Sequence, residues 1–413
     1  MRRAVSRKKV KVEELVEVVE RPPQMPVHSL PPDVVYMIME FLKPDLDTIR
    51  ACSLSVRSFR SVAQSFLGRH ISVNDPDRVK ECVKLLNDSG FQHVRSLCLG
   101  ITTKRMVLEE YWNDYLAILK VFAQRRSLVR LWLWEVPFFF LRPQQKKKFR
   151  EVVLALSSSI NDLGLYGCHF SCYEEMLSFV RAFPYCDKLY IEDCVTGGQD
   201  SPENSFTALP QYKLSVVDLD ITASSMSELL IDPSGFIEDA ELDVSSLSKL
   251  ACDLRSAEGT RRILSATSES PIRDLRFSST CLEGFQAFVT LVSPRWHLES
   301  LTIGPMYHEA DAAFWGAALK DFPKLPHLTE IRITYHYRTA KSFNTSCWVG
   351  FGSILANRDI LPCLEVVDVC PTFRSQRLGY QKVSAVSNAL RSLHLSNVKL
   401  THWGKYLGRY FYY

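Results

Sequence analysis

The stretch INDLGLYGCHF, residues 160–170, places apolar side chains at its first, fourth, sixth, ninth and eleventh positions, Ile160, Leu163, Leu165, Cys168 and Phe170. Its centre alternates with the period of a short strand. The same phrase, apolar-x-x-apolar-x-apolar, returns eleven times between Val94 and Leu395, as in VRSLCL (from Val94), LVRLWL (from Leu128), CDKLYI (from Cys186), LSVVDL (from Leu214), IRDLRF (from Ile272) and LRSLHL (from Leu390). The central residues are Leu97, Leu131, Leu163, Leu189, Val217, Leu250, Leu275, Leu301, Ile331, Val367 and Leu393, spaced by 25 to 36 residues. Helical patterns fill the intervals, among them EEYWNDYLAILKVFAQR, FREVVLALS and YEEMLSFVRAF. One strand and one helix per copy make a stacking unit. A single copy cannot bury its own apolar face, whereas copies stacked in register share one continuous core. The expected fold class is therefore α/β, a solenoid with a curved parallel sheet and outer helices.

Length and composition fit that expectation. With 413 residues, 46% of them hydrophobic and 11% aromatic, the chain holds enough apolar surface for a large core. Its greasiest run, SLVRLWLWEVPFFFL, is broken by Arg130 and Glu135 and stays short of the roughly 18 consecutive apolar residues that span a bilayer. No membrane partner is expected. The first residues, MRRAVSRKKVKVEELVEVVE, meet charge at Lys11, Glu13 and Glu14 before the apolar centre of a signal peptide develops. Secretion is not expected, so the twelve cysteines are read as reduced thiols of a cytoplasmic or nuclear protein. Removing Arg2, Arg3, Arg7, Lys8, Lys9 and Lys11 takes the formal charge from +4 to −2, which argues against a nucleic-acid surface on the folded part. Lys146, Lys147, Lys148 and Arg150 form one local basic cluster.

Ahead of the repeated phrases, LPPDVVYMIMEFLKPDLDTIRACSLSVRSF (Leu30 to Phe59) has a different texture. Pro31 and Pro32 suit a first helical turn, and Asp33 puts a negative charge at the positive end of the helix dipole. Val34, Val35, Ile38, Met39 and Leu42 then form an apolar stripe that Lys43-Pro44 ends. A second short helix carries Leu46, Ile49 and Cys52, and a third carries Val56, Phe59, Val62, Ala63, Phe66 and Leu67 up to Gly68. Three short helices in about forty residues make a marginal core, which implies a partner.

These residues resemble the F-box: the Leu30-Pro31 pair, Asp33, apolar residues at Val34, Ile38, Leu42 and Leu46, and the ending CSLSVRSF. The repeated phrase, with Cys168 and Cys194 at its ninth position, is similar to the leucine-rich repeat. Together they resemble the fungal-type family of F-box proteins with C-terminal leucine-rich repeats. That resemblance implies a substrate-recognition subunit of a Skp1-cullin-F-box ubiquitin ligase, with Leu30, Pro31, Val34, Ile38, Leu42, Leu46, Val56 and Phe59 docking Skp1 and the repeats binding a protein client. It implies no enzymatic activity of its own and no cofactor. The rival is a leucine-rich-repeat scaffold that does not join a cullin. A plain helical cap would not need the Leu-Pro-x-Asp opening and the CSLSVRSF ending together. The expected organisation is a disordered basic tail over 1–26, the F-box over 27–70, a linker and cap over 71–93, repeats over 94–400 and an aromatic cap over 401–413.

Other chemistries find little support. Cys168, His169 and Cys172 lack the second knuckle of a zinc site, and no G-x-G-x-x-G, P-loop, G-x-S-x-G or H-E-x-x-H motif occurs. The strand positions facing away from the core form the concave surface on which solenoids bind partners. Arg130, Trp132, Trp134, Tyr166 and Tyr190 place aromatic bulk on the early repeats, and Arg276, Arg332 and Asp368 place charge on the later ones. Tryptophan, tyrosine and arginine are enriched at interface hot spots, so these are the candidate client-binding residues. Gly164, between Trp132 and Tyr190, is expected to leave a notch. The competing expectation is that PFFFLRPQQKKKF, from Pro137, folds over the tryptophans.

Overall fold

Pro32 opens the first helix, where its missing N–H costs nothing, with Asp33 in the first turn. The computed structural model describes residues 30–42, 45–55, 57–67, 69–73, 75–86, 93–101, 105–197, 212–222, 233–254, 257–280, 284, 287–288, 296–306, 325–337, 352–355, 357–373 and 399–402. The chain divides into two compact units, Met1–Leu67 and Gly68–Tyr413. In the first, α1 (Pro32–Leu42), α2 (Leu46–Ser55) and α3 (Arg57–Leu67) enclose a small core of Val35, Met39, Ile49, Ala63 and Phe66. Asp45 caps α2: its Oδ1 accepts from the Thr48 backbone N–H (3.0 Å) and its Oδ2 from the Thr48 hydroxyl (2.6 Å). The tail over 1–26 lies outside the described residues.

The second unit is a mixed α/β, solenoid-like fold built on a large parallel sheet. Its strands are β1 (His70–Val73), β2 (Ser96–Gly100), β3 (Arg130–Trp134), β4 (Asp162–Tyr166), β6 (Lys188–Glu192), β8 (Asp218–Thr222), β9 (Lys249–Leu254), β10 (Asp274–Thr280), β11 (Ser300–Met306), β12 (Glu330–Tyr337), β13 (Val366–Phe373) and β14 (Lys399–His402). They follow one another across the sheet in chain order. Two short strands, β5 (His169–Phe170) and β7 (Val195–Thr196), pair separately. Its described helices include α4 (Pro76–Leu86), α5 (Arg105–Arg125), α6 (Pro143–Ser157), α7 (Tyr173–Val180), α8 (Pro233–Asp239) and α9 (Ala257–Ala266).

Register follows the repeated phrase. Leu97, Leu131, Leu163 and Leu189 are partners on successive strands, as are Leu250, Leu275, Leu301, Ile331 and Val367. With Leu99, Leu133, Leu165 and Ile191 two residues on, they join Tyr115, Phe122, Val153 and Phe179 of the helices in one continuous core. Two of the expected centres are displaced. The partner of Leu189 is Leu219, so β8 is centred two residues past Val217, which is exposed. The partner of Val367 is Leu400, and Leu393 lies outside the described residues. The region read as linker and N-terminal cap of the solenoid, 71–93, carries most of β1, which edges the sheet, and all of α4, with Ile71 the partner of Leu97. At the other end β14 reaches His402, inside the stretch expected to be a separate aromatic cap.

The turns after β3, β4 and β6 repeat as well. Glu135, Gly167 and Asp193 take left-handed φ of 53°, 59° and 54° directly after their strands. Their N–H groups donate to Tyr166, Glu192 and Thr222 carbonyls of the next strand at 2.7, 2.8 and 3.0 Å. Cys168 and Cys194 then donate their thiols back to the Leu133 and Leu165 carbonyls, both at 3.4 Å. The two cysteines thereby tie each turn to the preceding strand.

The stretch from Pro137 does not cover the tryptophans by its aromatic bulk. Phe138, in a 3-10 turn over Phe138–Phe140, is fully buried and stacks on Phe170 at 4.5 Å, while Phe149 on α6 packs against it at 5.6 Å. Nor is the basic cluster intact as a surface. Lys146 is buried, its Nζ 2.6 Å from Glu175 Oε1 and 2.8 Å from Ser171 Oγ, so it clamps α6 to the β5–α7 turn.

Candidate functional site

The face of the sheet opposite the helices carries three rows of side chains. In the row at the strand beginnings, Arg130, Asp162, Lys188, Asp218, Lys249 and Asp274 are successive partners. In the middle row the order is Cys98, Trp132, Gly164, Tyr190, Asp220, Ala251, Arg276, Thr302, Arg332 and Asp368. The third row holds Gly100, Trp134, Tyr166, Glu192 and Thr222.

The early strands bring the predicted aromatic residues into one cluster organised by Asp162. That carboxylate is only 3% exposed, and its Oδ2 accepts from Arg130 Nε at 2.6 Å while its Oδ1 accepts from Trp132 Nε1 at 2.9 Å. The Arg130 guanidinium also lies 5.0 Å from the Trp132 ring centre. Trp134 stacks on Tyr166 at 4.6 Å, and Trp132 meets Tyr166 and Tyr190 edge-on at 5.6 and 6.2 Å. Tyr190 donates its hydroxyl to Asp218 Oδ2 at 2.8 Å. Burial, and then the nearby carboxylates, hold the Tyr166 and Tyr190 phenols well above their ordinary range. The cluster presents indole and phenol surface, with the polar tips of Trp132 and Tyr190 held by Asp162 and Asp218.

Gly164 leaves no notch. A Cβ there would stand 2.6 Å from Trp132 Cδ1 and 2.6 Å from Tyr166 Cε2, so both rings lean over the bare backbone. The glycine serves the close approach of the two rings.

The later charged residues belong elsewhere. Arg276 lies five strands from Trp132, about 24 Å at about 4.8 Å per strand. Arg332 is held in a forked pair with Glu330 on its own strand, at 2.9 and 3.0 Å. Asp368 is buried, 3% exposed.

Between these groups sits an acidic cluster that the periodicity did not single out. Glu192 on β6 has Asp220, Asp193 and Asp253 as like charges nearby and Arg276 as an opposite one. Desolvation, then Asp220, pushes the Glu192 carboxyl up from its ordinary value, an upward shift that solvent moderates because the residue is exposed at the end of β6. Burial raises Asp220 too, and its Oδ1 is shielded without a hydrogen-bond partner among the described residues. Their outward positions were visible in the sequence; their shared excess of charge was not.

In the helical unit, the residues expected at a docking face divide. Leu30, Pro31 and Val34 are exposed, Ile38 is half-buried, and Leu42 and Phe59 pack on the unit's own core. Leu46 begins α2, and Val56 lies outside the described residues. The largest exposed apolar side chains are ones the resemblance did not name: Met37 at 69%, Phe41 at 86% and Leu54 on α2 at 79%. Val34, Met37 and Phe41 follow each other by three and four residues, so they share one face of α1. Sequence could have flagged them, because α1 is apolar on two faces and a helix in a small unit buries only one.

Cys82, Cys98, Cys168, Cys172, Cys186 and Cys194 take part in no disulfide, and burial raises Cys98 to about 11 and Cys186 to about 12. Among the described residues no group of three or more His, Cys, Asp or Glu side chains is arranged to hold a metal ion, and no helix is long and apolar enough to cross a membrane. No protein-family model matches the chain, and no curated protein matches it.

Proposed function

We propose that this protein is a substrate receptor without catalytic activity of its own, in which the N-terminal helices act as an F-box that docks Skp1 and the sheet unit, as a leucine-rich-repeat solenoid, holds a protein client for a cullin-based ubiquitin ligase. The observation that carries the reading is the stripe of Val34, Met37 and Phe41 along α1, exposed although the helical unit already encloses its own core. Contiguous apolar surface of this kind marks an interface. The Leu-Pro-x-Asp opening and the CSLSVRSF ending name the kind of interface. The aromatic cluster of Trp132, Trp134, Tyr166 and Tyr190 supports the other half, since its rings are rigidly oriented and half-exposed. The chain's contribution is then proximity: it raises the effective concentration of client lysines near the charged enzyme. The protein works in the cytoplasm or nucleus and needs no cofactor.

The test is a pull-down from cells with the proteasome blocked, comparing the wild-type chain with a Val34→Asp, Phe41→Asp variant. Wild type should bring down Skp1 and a cullin together with clients whose abundance rises on proteasome inhibition, and the variant should retain clients while losing both ligase subunits. Skp1 without a cullin, and clients indifferent to the proteasome, would instead establish a scaffold.

A further inference from the structure

The turn that leads into each repeat strand places one residue four positions ahead of the strand's central apolar residue. On the strands centred on Leu131, Leu163, Leu189, Leu219, Leu250 and Leu275 that residue is Ser127, Ser159, Tyr185, Ser215, Ser246 and Pro271 in turn. On the next three strands, β11, β12 and β13, it is His297, His327 and Cys363, ahead of Leu301, Ile331 and Val367. The register of the sheet carries back into these turns. The Thr329 N–H donates to the Glu299 carbonyl at 2.9 Å and the Glu365 N–H to the Thr329 carbonyl at 2.8 Å, each two residues after the row. The three backbones therefore run side by side at about the 4.8 Å spacing of a sheet. His297, His327 and Cys363 are exposed, while Leu298, Leu328 and Leu364 beside them are buried and hold the turns in place. Among the described residues neither imidazole nor the thiol has a hydrogen-bond or ion-pair partner.

The His297 and His327 ring centres stand 5.2 Å apart with the planes 51° from each other. Two imidazoles that share one tetrahedral ion, each through a bond of about 2.0–2.1 Å, have their ring centres roughly 5 Å apart, so the observed separation is that of a chelating pair. Imidazole nitrogen together with a thiolate favours Zn²⁺ over Mg²⁺ or Ca²⁺, which take oxygen ligands. We infer that His297 and His327 chelate Zn²⁺ at this edge of the sheet unit, that Cys363 on the following strand joins them as the third ligand, and that water takes the fourth position. On binding, the Cys363 thiol gives up its proton to solvent and no electron moves. The bound ion ties β11, β12 and β13 together and stabilises the folded state as its free concentration rises.

The experiment titrates Zn²⁺, and Co²⁺ as a spectroscopic stand-in, into the full-length chain kept reduced by a reagent that is not a thiol. Wild type should take up one equivalent more than a His297→Ala, His327→Ala double variant, and its Co²⁺ form should gain the visible bands of tetrahedral coordination with a near-ultraviolet thiolate band. Each single histidine change should weaken binding at this site at least roughly tenfold, and Cys363→Ser should remove its share of the thiolate band. His93 holds the same point ahead of Leu97, with Ser127 on the next strand, so His93→Ala should leave metal binding unchanged. All these side chains are exposed, and the metal-free variants should unfold at the wild-type denaturant midpoint, whereas the gain on adding Zn²⁺ should shrink in the double variant. Unchanged metal stoichiometry in the double variant, a Co²⁺ spectrum of Cys363→Ser identical to that of wild type, or an equal loss on His93→Ala would overturn the site.

Discussion

Phe41 and Phe138 are the same residue in opposite circumstances, and they stand for the two units. Phe138 is fully buried, stacked on Phe170 and flanked by Phe149 and Phe179. Phe41 is 86% exposed on α1. The sheet unit adds successive strands, several of them from β1 to β10 with a helix between, to a core that is already there, so even an aromatic in a short connecting turn finds neighbours. Among the described residues the helical unit has five buried core residues from three helices, and none of these helices covers the second apolar face of α1. Surface grows relative to volume as a domain shrinks, and the smaller unit is the one left with apolar surface to spare. What distinguishes the units is therefore self-sufficiency.

The sharpest way to break this comparison is to truncate both phenylalanines in the full-length chain. Phe138→Ala should cost the sheet unit about 3–5 kcal/mol, seen as an earlier denaturant midpoint, because the cavity lies among close-packed rings. Phe41→Ala should leave the unfolding curve within about 0.5 kcal/mol of wild type. A comparable loss in both would show that Phe41 is packed and that the helical unit lacks an open face.

A smaller effect sharpens the same contrast on the sheet face. Gly164→Ala puts a methyl group where Trp132 and Tyr166 already stand, and forcing the rings apart should cost about 1–3 kcal/mol and change the tryptophan emission. An unchanged spectrum and midpoint would mean that the rings are free to move, and the cluster would then be a soft surface.

How far these features were legible depends on what the sequence pattern encodes. Alternation with a bulky residue at the fourth and sixth positions fixes which side of a strand is buried, and it located the strands centred on Leu97, Leu131, Leu163 and Leu189. It is ambiguous where two overlapping phrases fit. Leu214, Val217 and Leu219 satisfy the pattern, and so do Val216, Leu219 and Ile221; the structure uses the second set because Leu219 and Ile221 align with Leu189 and Ile191. The strand at His70–Val73 is too short to display a period and was missed. On the open face, register put Trp132, Gly164 and Tyr190 in one row, but the rings' lean over Gly164 depends on side-chain packing that spacing does not encode. The acidic cluster was hidden for another reason: its members come from separate strands, and only their joint surroundings raise the Glu192 carboxyl.

The central claim is that the exposed face of α1 is an adaptor-docking surface, and direct titration of purified Skp1 into the full-length protein tests it. Wild type should bind Skp1 with one-to-one stoichiometry, and Val34→Asp with Phe41→Asp should weaken binding by roughly 1000-fold, since each charge replaces a desolvated apolar anchor worth about 2 kcal/mol, while the denaturant midpoint of the sheet unit stays unchanged. Wild-type affinity in the double variant, or no binding of Skp1 to the wild-type chain, would contradict the account.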